Sequence, residues 1–265
     1  MNRGCRGGWW AGLAALILLF GVGGCARQPP ERNQLSGKRL IVTLRFRSPV
    51  NPNYHYFFLI NNAGDQNAPG PVPVLIPPYG NGFATGSGGG TSGFTDFVRF
   101  DNLQPQGYGL YHAVGDPNRS NFVYEGRPLN AVLPDPTDPR TASQLQFEID
   151  LSQLITDANG APLPDPTEAA NRARQIRFLQ VNVVATNIVP RDVTTPVVKL
   201  VDSFGDTRTL AGASSFLVLD VSQNRIVRNS DFTGQLIEEP ADPDVFGGND
   251  PTLDLVDWSI EVRQQ

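Results

Sequence analysis

Cysteine is nearly absent from this chain of 265 residues, with Cys5 and Cys25 the only two. A disulfide framework, a CxxC redox pair and a cysteine-bound zinc are therefore excluded from everything beyond residue 25. Histidine is equally scarce, His55 and His112 alone. A serine–histidine relay or a histidine-rich metal site would have to use one of them. Neither has a partner at a recognisable spacing, so both read as structural. GxSxG and HExxH do not occur. Blocks of like charge are missing too, and the formal charge is −5. That balance argues against nucleic acid and against a polybasic grip on anionic lipid. The apolar run from Trp9 to Val22 is too short to cross a bilayer comfortably. Without staples, stability must come from a buried core, and about 240 residues beyond Cys25 suffice for one large β domain.

What is present begins at the N-terminus. Arg3 and Arg6, the apolar run and the small residues after it make a secretory signal of residues 1–24. Its last positions and the next residue, Val22-Gly23-Gly24-Cys25, resemble the lipobox of bacterial lipoproteins. That resemblance implies cleavage before Cys25, a diacylglycerol on its sulfur, and attachment of the chain to a membrane of the cell envelope. Two or three acyl chains hold stably where one is marginal. Ala26 in second place implies the outer membrane in a bacterium with two membranes, and otherwise the outer face of the plasma membrane. Loss of Arg3 and Arg6 leaves the processed chain two charges more negative. Residues 25–37, polar and with a Pro-Pro pair, read as the lipid-anchored tether.

From Lys38 the pattern changes to period two. Leu40, Val42, Leu44 and Phe46 share one face, and Leu145, Phe147, Ile149 and Leu151 alternate with polar residues. Tyr54 to Asn61 is apolar on both faces, which suits a covered central strand. Further strands are predicted at 94–100, 108–114, 121–126, 177–187, 215–221 and 256–262. Pro, Gly, Asn and Asp punctuate the intervals. One helix is predicted after Asp165, with Pro166 in its first position and Glu168 completing a capping box. The expectation is an all-β fold: a single antiparallel β-sandwich, jelly-roll-like, over residues 38–265, with one short helix and long Gly/Pro-rich loops.

Three stretches carry a resemblance to family-nine carbohydrate-binding modules and DOMON-like sandwiches. They are "YHYFFLINNAGDQNAPG", "FEIDLSQL" with the following "RFLQVNVVATN", and the terminal "LDLVDWSIEV". The resemblance implies the sandwich fold and carries over no ligand residue, because residues 77–93 and 157–175 depart from the pattern.

Candidate chemistry is sparse. Gly88, Gly90 and Gly93 have GxGxxG spacing, but a strand pattern follows where a dinucleotide site needs a helix. The segment reads as a mobile loop that limited proteolysis nicks first. Asp96, Glu125, Glu148 and Asp150 are carboxylates available for glycoside hydrolysis. Glu148 and Asp150 share a strand face about 6.5–7 Å apart, the spacing of any solvated acidic face. Two loops offer oxygens to calcium. Asn61, Asn62, Asp65 and Asn67 form the favoured structural cation site. Asp242, Asp244, Asn249 and Asp250 form the other, which fails the EF-hand pattern at Phe246. Tyr79 and Phe83, in the Gly/Pro loop, are the expected exposed platform for a sugar face. Trp258 shares a strand face with Val256, Ile260 and Val262 and is assigned to the core.

The sequence is thus read as an exported, lipid-anchored, non-catalytic binding or envelope-structural module, with a glycan as the first ligand to test. A glycoside-active enzyme using unassigned carboxylates, and a scaffold for other envelope proteins, are the competing readings. The oligomeric state is left open.

Overall fold

Alternation along each strand decides which side chains meet across the sandwich. The structure, a computed structural model, describes residues 36–87, 93–115, 121–190, 194–232, 236, 238, 239 and 241–264. In chain order the strands are β1 (Lys38–Phe46), β2 (His55–Asn61), β3 (Pro71–Pro73), β4 (Ala84–Gly86), β5 (Asp96–Phe100), β6 (Tyr108–Ala113) and β7 (Phe122–Gly126). There follow β8 (Leu129–Val132), β9 (Gln144–Asp150), β10 (Phe178–Thr186), β11 (Val201–Ser203), β12 (Leu217–Asp220), β13 (Arg225–Arg228) and β14 (Leu255–Gln264). One sheet has the order β13-β14-β1-β9-β8. A second has the order β11-β10-β2-β5-β6-β7, with β12 also on β10, and β3 and β4 form a small two-stranded sheet. All pairings are antiparallel. The fold is all-β, as the alternation predicts.

The two sheets face each other across one core. Leu40, Val42, Leu44 and Phe46 from β1 and Leu145, Phe147 and Ile149 from β9 meet Tyr56, Phe58 and Ile60 from β2. From β10 come Leu179, Val181, Val183 and Ala185, all wholly buried. Trp258 is 1% exposed and packs on Phe204 and Phe232, with ring centroids 4.7 and 5.5 Å away. In chain lacking residues 1–24 it is the one tryptophan. Its emission should be blue-shifted and barely quenched by iodide; a red, quenchable spectrum would contradict this packing.

Helix α1 (Pro166–Gln175) starts after Asp165 with Pro166 in its first position, as predicted, while Glu168 pairs with Arg172 one turn on. Asp165 Oδ1 accepts the Thr167 and Glu168 N–H groups at 2.8 and 3.3 Å, satisfying two donors that a helix start leaves open. Its small face, Ala169, Ala170 and Ala173, is buried on the 3-10 turn Leu151–Leu154.

The main departure from expectation lies on the outer face of the second sheet. Phe57, Leu59, Phe97 and Val184 point away from the core. A bare aromatic face of that kind would be unstable in water, and the segment from β3 to Phe94 covers it. Phe83 stacks on Phe57 with centroids 4.1 Å apart and planes 3° from parallel, inside a cluster with Phe94, Phe97 and Phe122. Phe83 is 3% exposed and Tyr79 2%. The Tyr79 hydroxyl accepts the Val197 N–H at 3.4 Å, and the Lys199 ammonium lies 5.5 Å from its ring. The assignment of Tyr79 and Phe83 as exposed platforms is therefore corrected. Phe83 is the underside of a lid over hydrophobic strands and Tyr79 is buried beside Val197 and Lys199, despite the glycines and prolines around them. Of the GxGxxG glycines, Gly88 and Gly90 lie outside the described residues, and Gly93 is buried.

Candidate functional site

Past the margin of that cover the same face changes character. Side chains of β2, β5 and β6 at Phe57, Phe97 and Tyr111 lie outward, so period two sends His55 and Arg99 outward as well. Cross-strand register sets Phe57, Arg99 and Gly109 in one row and Leu59, Phe97, Tyr111 and Tyr124 in the next. Asp101, wholly buried just after β5, ties them together. Its Oδ2 lies 2.7 Å from His55 Nδ1 and 2.5 Å from the Arg99 guanidinium. Its Oδ1 accepts the Leu103 N–H at 3.0 Å and the Gln104 amide at 3.2 Å. Gln104 Oε1 in turn accepts the Tyr111 hydroxyl at 2.5 Å. Burial by itself would raise the Asp101 carboxyl. The His55 hydrogen bond and the Arg99 charge outweigh it and hold the group below the usual carboxylate range. Asp101 is thus an anion that holds the Arg99 guanidinium and the His55 ring in place in one strip.

Glycine at 109 makes the strip geometrically feasible. A Cβ there would stand 2.7 Å from both Gln104 Oε1 and the Tyr111 ring. Tyr111 meets Tyr124 edge-on at 5.4 Å, and Tyr124 is 39% exposed at the sheet edge. Burial, chiefly, raises the Tyr111 phenol, so it remains a neutral donor. The arrangement offers two partly exposed rings beside a guanidinium and an imidazole. Rings of this kind stack on the C–H face of a sugar, while the fork and the free imidazole edge can take its hydroxyls.

Comparison with family models, with curated proteins and with solved structures finds no match to this chain.

The remaining predicted positions are dispersed. Asn61 is buried; its amide donates to Pro69 O at 2.9 Å and its Oδ1 accepts Ala63 N–H. Asp65 Oδ1 accepts Asn67 N–H at 2.9 Å, and Asn62 donates its N–H to Thr95 Oγ1. In the favoured calcium loop the two side-chain oxygens described, on Asn61 and Asp65, thus serve turns, as Asn and Asp do in ordinary loops. The other loop splits. Asp242 pairs with Arg208 at 2.8 Å on the surface and Asp250 caps Thr252, but Asp244 turns inward. There its carboxylate joins those of Asp202, in β11, and Asp254, just before β14. One oxygen from each lies within 4.8 Å of the others.

Glu148 and Asp150 do not form a common solvated face. Glu148 is half-buried and pairs with Arg39 at 3.5 Å. Asp150 is wholly buried, and its carboxylate receives the Ser36 and Ser152 N–H groups and the Ser152 hydroxyl. Each histidine has a carboxylate partner that spacing could not supply. His112 Nδ1 lies 2.8 Å from buried Asp96, whose other oxygen accepts the Thr95 hydroxyl. Among the described residues His112 Nε2 reaches Thr156 Oγ1, at 3.4 Å. Burial would lower the imidazole, but the Asp96 bond raises it overall.

Proposed function

We propose that this chain is a non-catalytic, glycan-binding module held to the bacterial envelope by lipid on Cys25. The strip His55–Arg99–Asp101–Gln104–Tyr111–Tyr124 is the observation that carries the binding half of this reading. Its polar groups are fixed by one another before any ligand arrives, which lowers the ordering cost of binding. Its rings lie at a sheet margin where a chain-like ligand can pass. The anchor half rests on the Val22–Cys25 signature and on a cysteine count that, once residues 1–24 are removed, leaves no intramolecular partner for Cys25.

A glycan array, followed by a turnover assay on every hit, tests the binding half. Tyr124→Ala is expected to weaken binding of a hit by at least about tenfold, the loss of roughly 1.4 kcal/mol of ring contact, with the melting temperature little changed. Product formation would replace the module with a glycosidase. Binding indifferent to both Tyr124→Ala and Arg99→Met would remove the strip. Mass spectrometry of the native N-terminus tests the anchor; an unacylated Cys25 would reject it.

A further inference from the structure

Four acidic side chains from three separate segments are buried together behind β11. Asp202 is 0% exposed, Asp254 1%, Asp244 7% and Glu238 1%. The segment carrying Asp244 is pinned there by backbone bonds between Val201 and Phe246, at 2.8 and 3.2 Å. The pin requires glycine at 247, because a Cβ there would stand 2.5 Å from Lys199 O with φ already at +83°. Asp202 Oδ2 accepts Leu255 N–H at 2.6 Å, and Asp202 Oδ1 accepts the Thr207 hydroxyl at 3.3 Å. Arg47 bonds Asp254 Oδ2 and is the one cation shown bonding a carboxylate of the cluster among the described residues. Burying like charges at such distances is untenable without compensation.

An orphaned oxygen points to what compensates. Asp254 Oδ1 is fully buried without a partner among the described residues. Glu238 Oε1 accepts Gly205 N–H at 2.7 Å, whereas its Oε2 is likewise buried without a partner. The Glu238 carboxyl lies outside the set, since among the described residues only the Asp202, Asp244 and Asp254 oxygens come within 4.8 Å of one another. Ligands 2.3–2.6 Å from one ion lie no more than about 5 Å apart, a limit that the aspartate oxygens meet. The donors are oxygens without sulfur or imidazole, which selects a hard cation.

We infer that Asp202, Asp244 and Asp254 form a calcium site that locks the segment around Asp244 to β11 and to the start of β14. Calcium suits it better than magnesium, which keeps several waters and resists a nearly all-protein cage. The role is structural and independent of what the tyrosine strip binds.

The test uses the detergent-solubilised full chain, stripped with EDTA and titrated with calcium chloride alone. One ion per chain by calorimetry and a melting temperature about 5–10 °C higher at saturation are expected. Asp244→Asn should weaken calcium at least tenfold. Should Asp244→Asn fail to fold, Asp202→Asn and metal analysis of the unmodified chain read the same question. No heat, no thermal shift and no calcium in chain purified without chelator would overturn the inference. So would binding that survives Asp244→Asn and Asp202→Asn but is lost in Asp65→Asn, which would move the ion to the loop after β2.

Discussion

Phe83→Ala is expected to lower the unfolding free energy by about 3–5 kcal/mol, the usual range for emptying a buried phenylalanine site. The residue sits face to face with Phe57 and contacts Phe94, Phe97 and Phe122, so its loss leaves a cavity that flat rings close poorly. Asn81 holds the turn by accepting the Phe83 and Ala84 N–H groups at 2.9 and 3.0 Å, so the backbone does not collapse inward to fill the gap. Urea unfolding should show the shift in midpoint, together with increased binding of a hydrophobic dye as the lid loosens. Glycan affinity at the tyrosine strip should stay within about threefold at temperatures where the variant is folded, since none of the strip's hydrogen bonds involves Phe83. A variant of native stability that had lost ligand would return Phe83 to the surface role its loop composition suggests.

The second large effect is a pH dependence centred on Lys199. This side chain is 4% exposed, donates to Val74 O and has its amine lowered by burial to about 7. In the unfolded chain the amine keeps its ordinary value near 10.5. Between those values the unfolded state binds the proton and the folded state does not, so stability rises with pH through that window and is lowest below it. From pH 7 to 9.5 the gain is on the order of 3 kcal/mol. Lys199→Met should remove this gain, leaving a flatter profile than the parent chain while other titrations cancel in the comparison. Parallel profiles for the two proteins would mean that the amine stays charged in its site. Lys38, the other lysine, is also buried, its Nζ donating to Arg174 O and Ile176 O. Both amines should therefore react slowly with acylating reagents.

These two effects depend on features of opposite legibility. The buried ring of Trp258, the inward rows of β1 and β9 and the start of α1 at Asp165 all follow from patterns within ten residues. Alternation of period two and a capping side chain are local physics. They operate before the strands find partners, and so the all-β architecture could be read directly. Even the two apolar faces of β2 announced that something must cover both.

What covers them could not be read. Gly/Pro composition marks a loop, yet it does not say whether that loop lies in water or on a sheet. Tyr79 and Phe83 were assigned to water, when Phe83 in fact stacks on Phe57 and, with Phe94 and Phe122, packs on Phe97. The strip has the same origin. Tyr111 and Tyr124 differ from Phe97 only in lying beyond the margin of the lid, and Gln104 reaches Tyr111 because Gly109 leaves room.

Composition and alternation by themselves determined that this chain builds a β-sandwich with Trp258 inside it, and that beyond Cys25 it does so without disulfides. Tertiary structure alone decided which polar groups share an interior. Asp202 meets Asp244 and Asp254, and Lys199 finds Val74 across 125 residues. Strand pairing between distant segments sets those encounters, and periodicity within a segment carries no information about its partner.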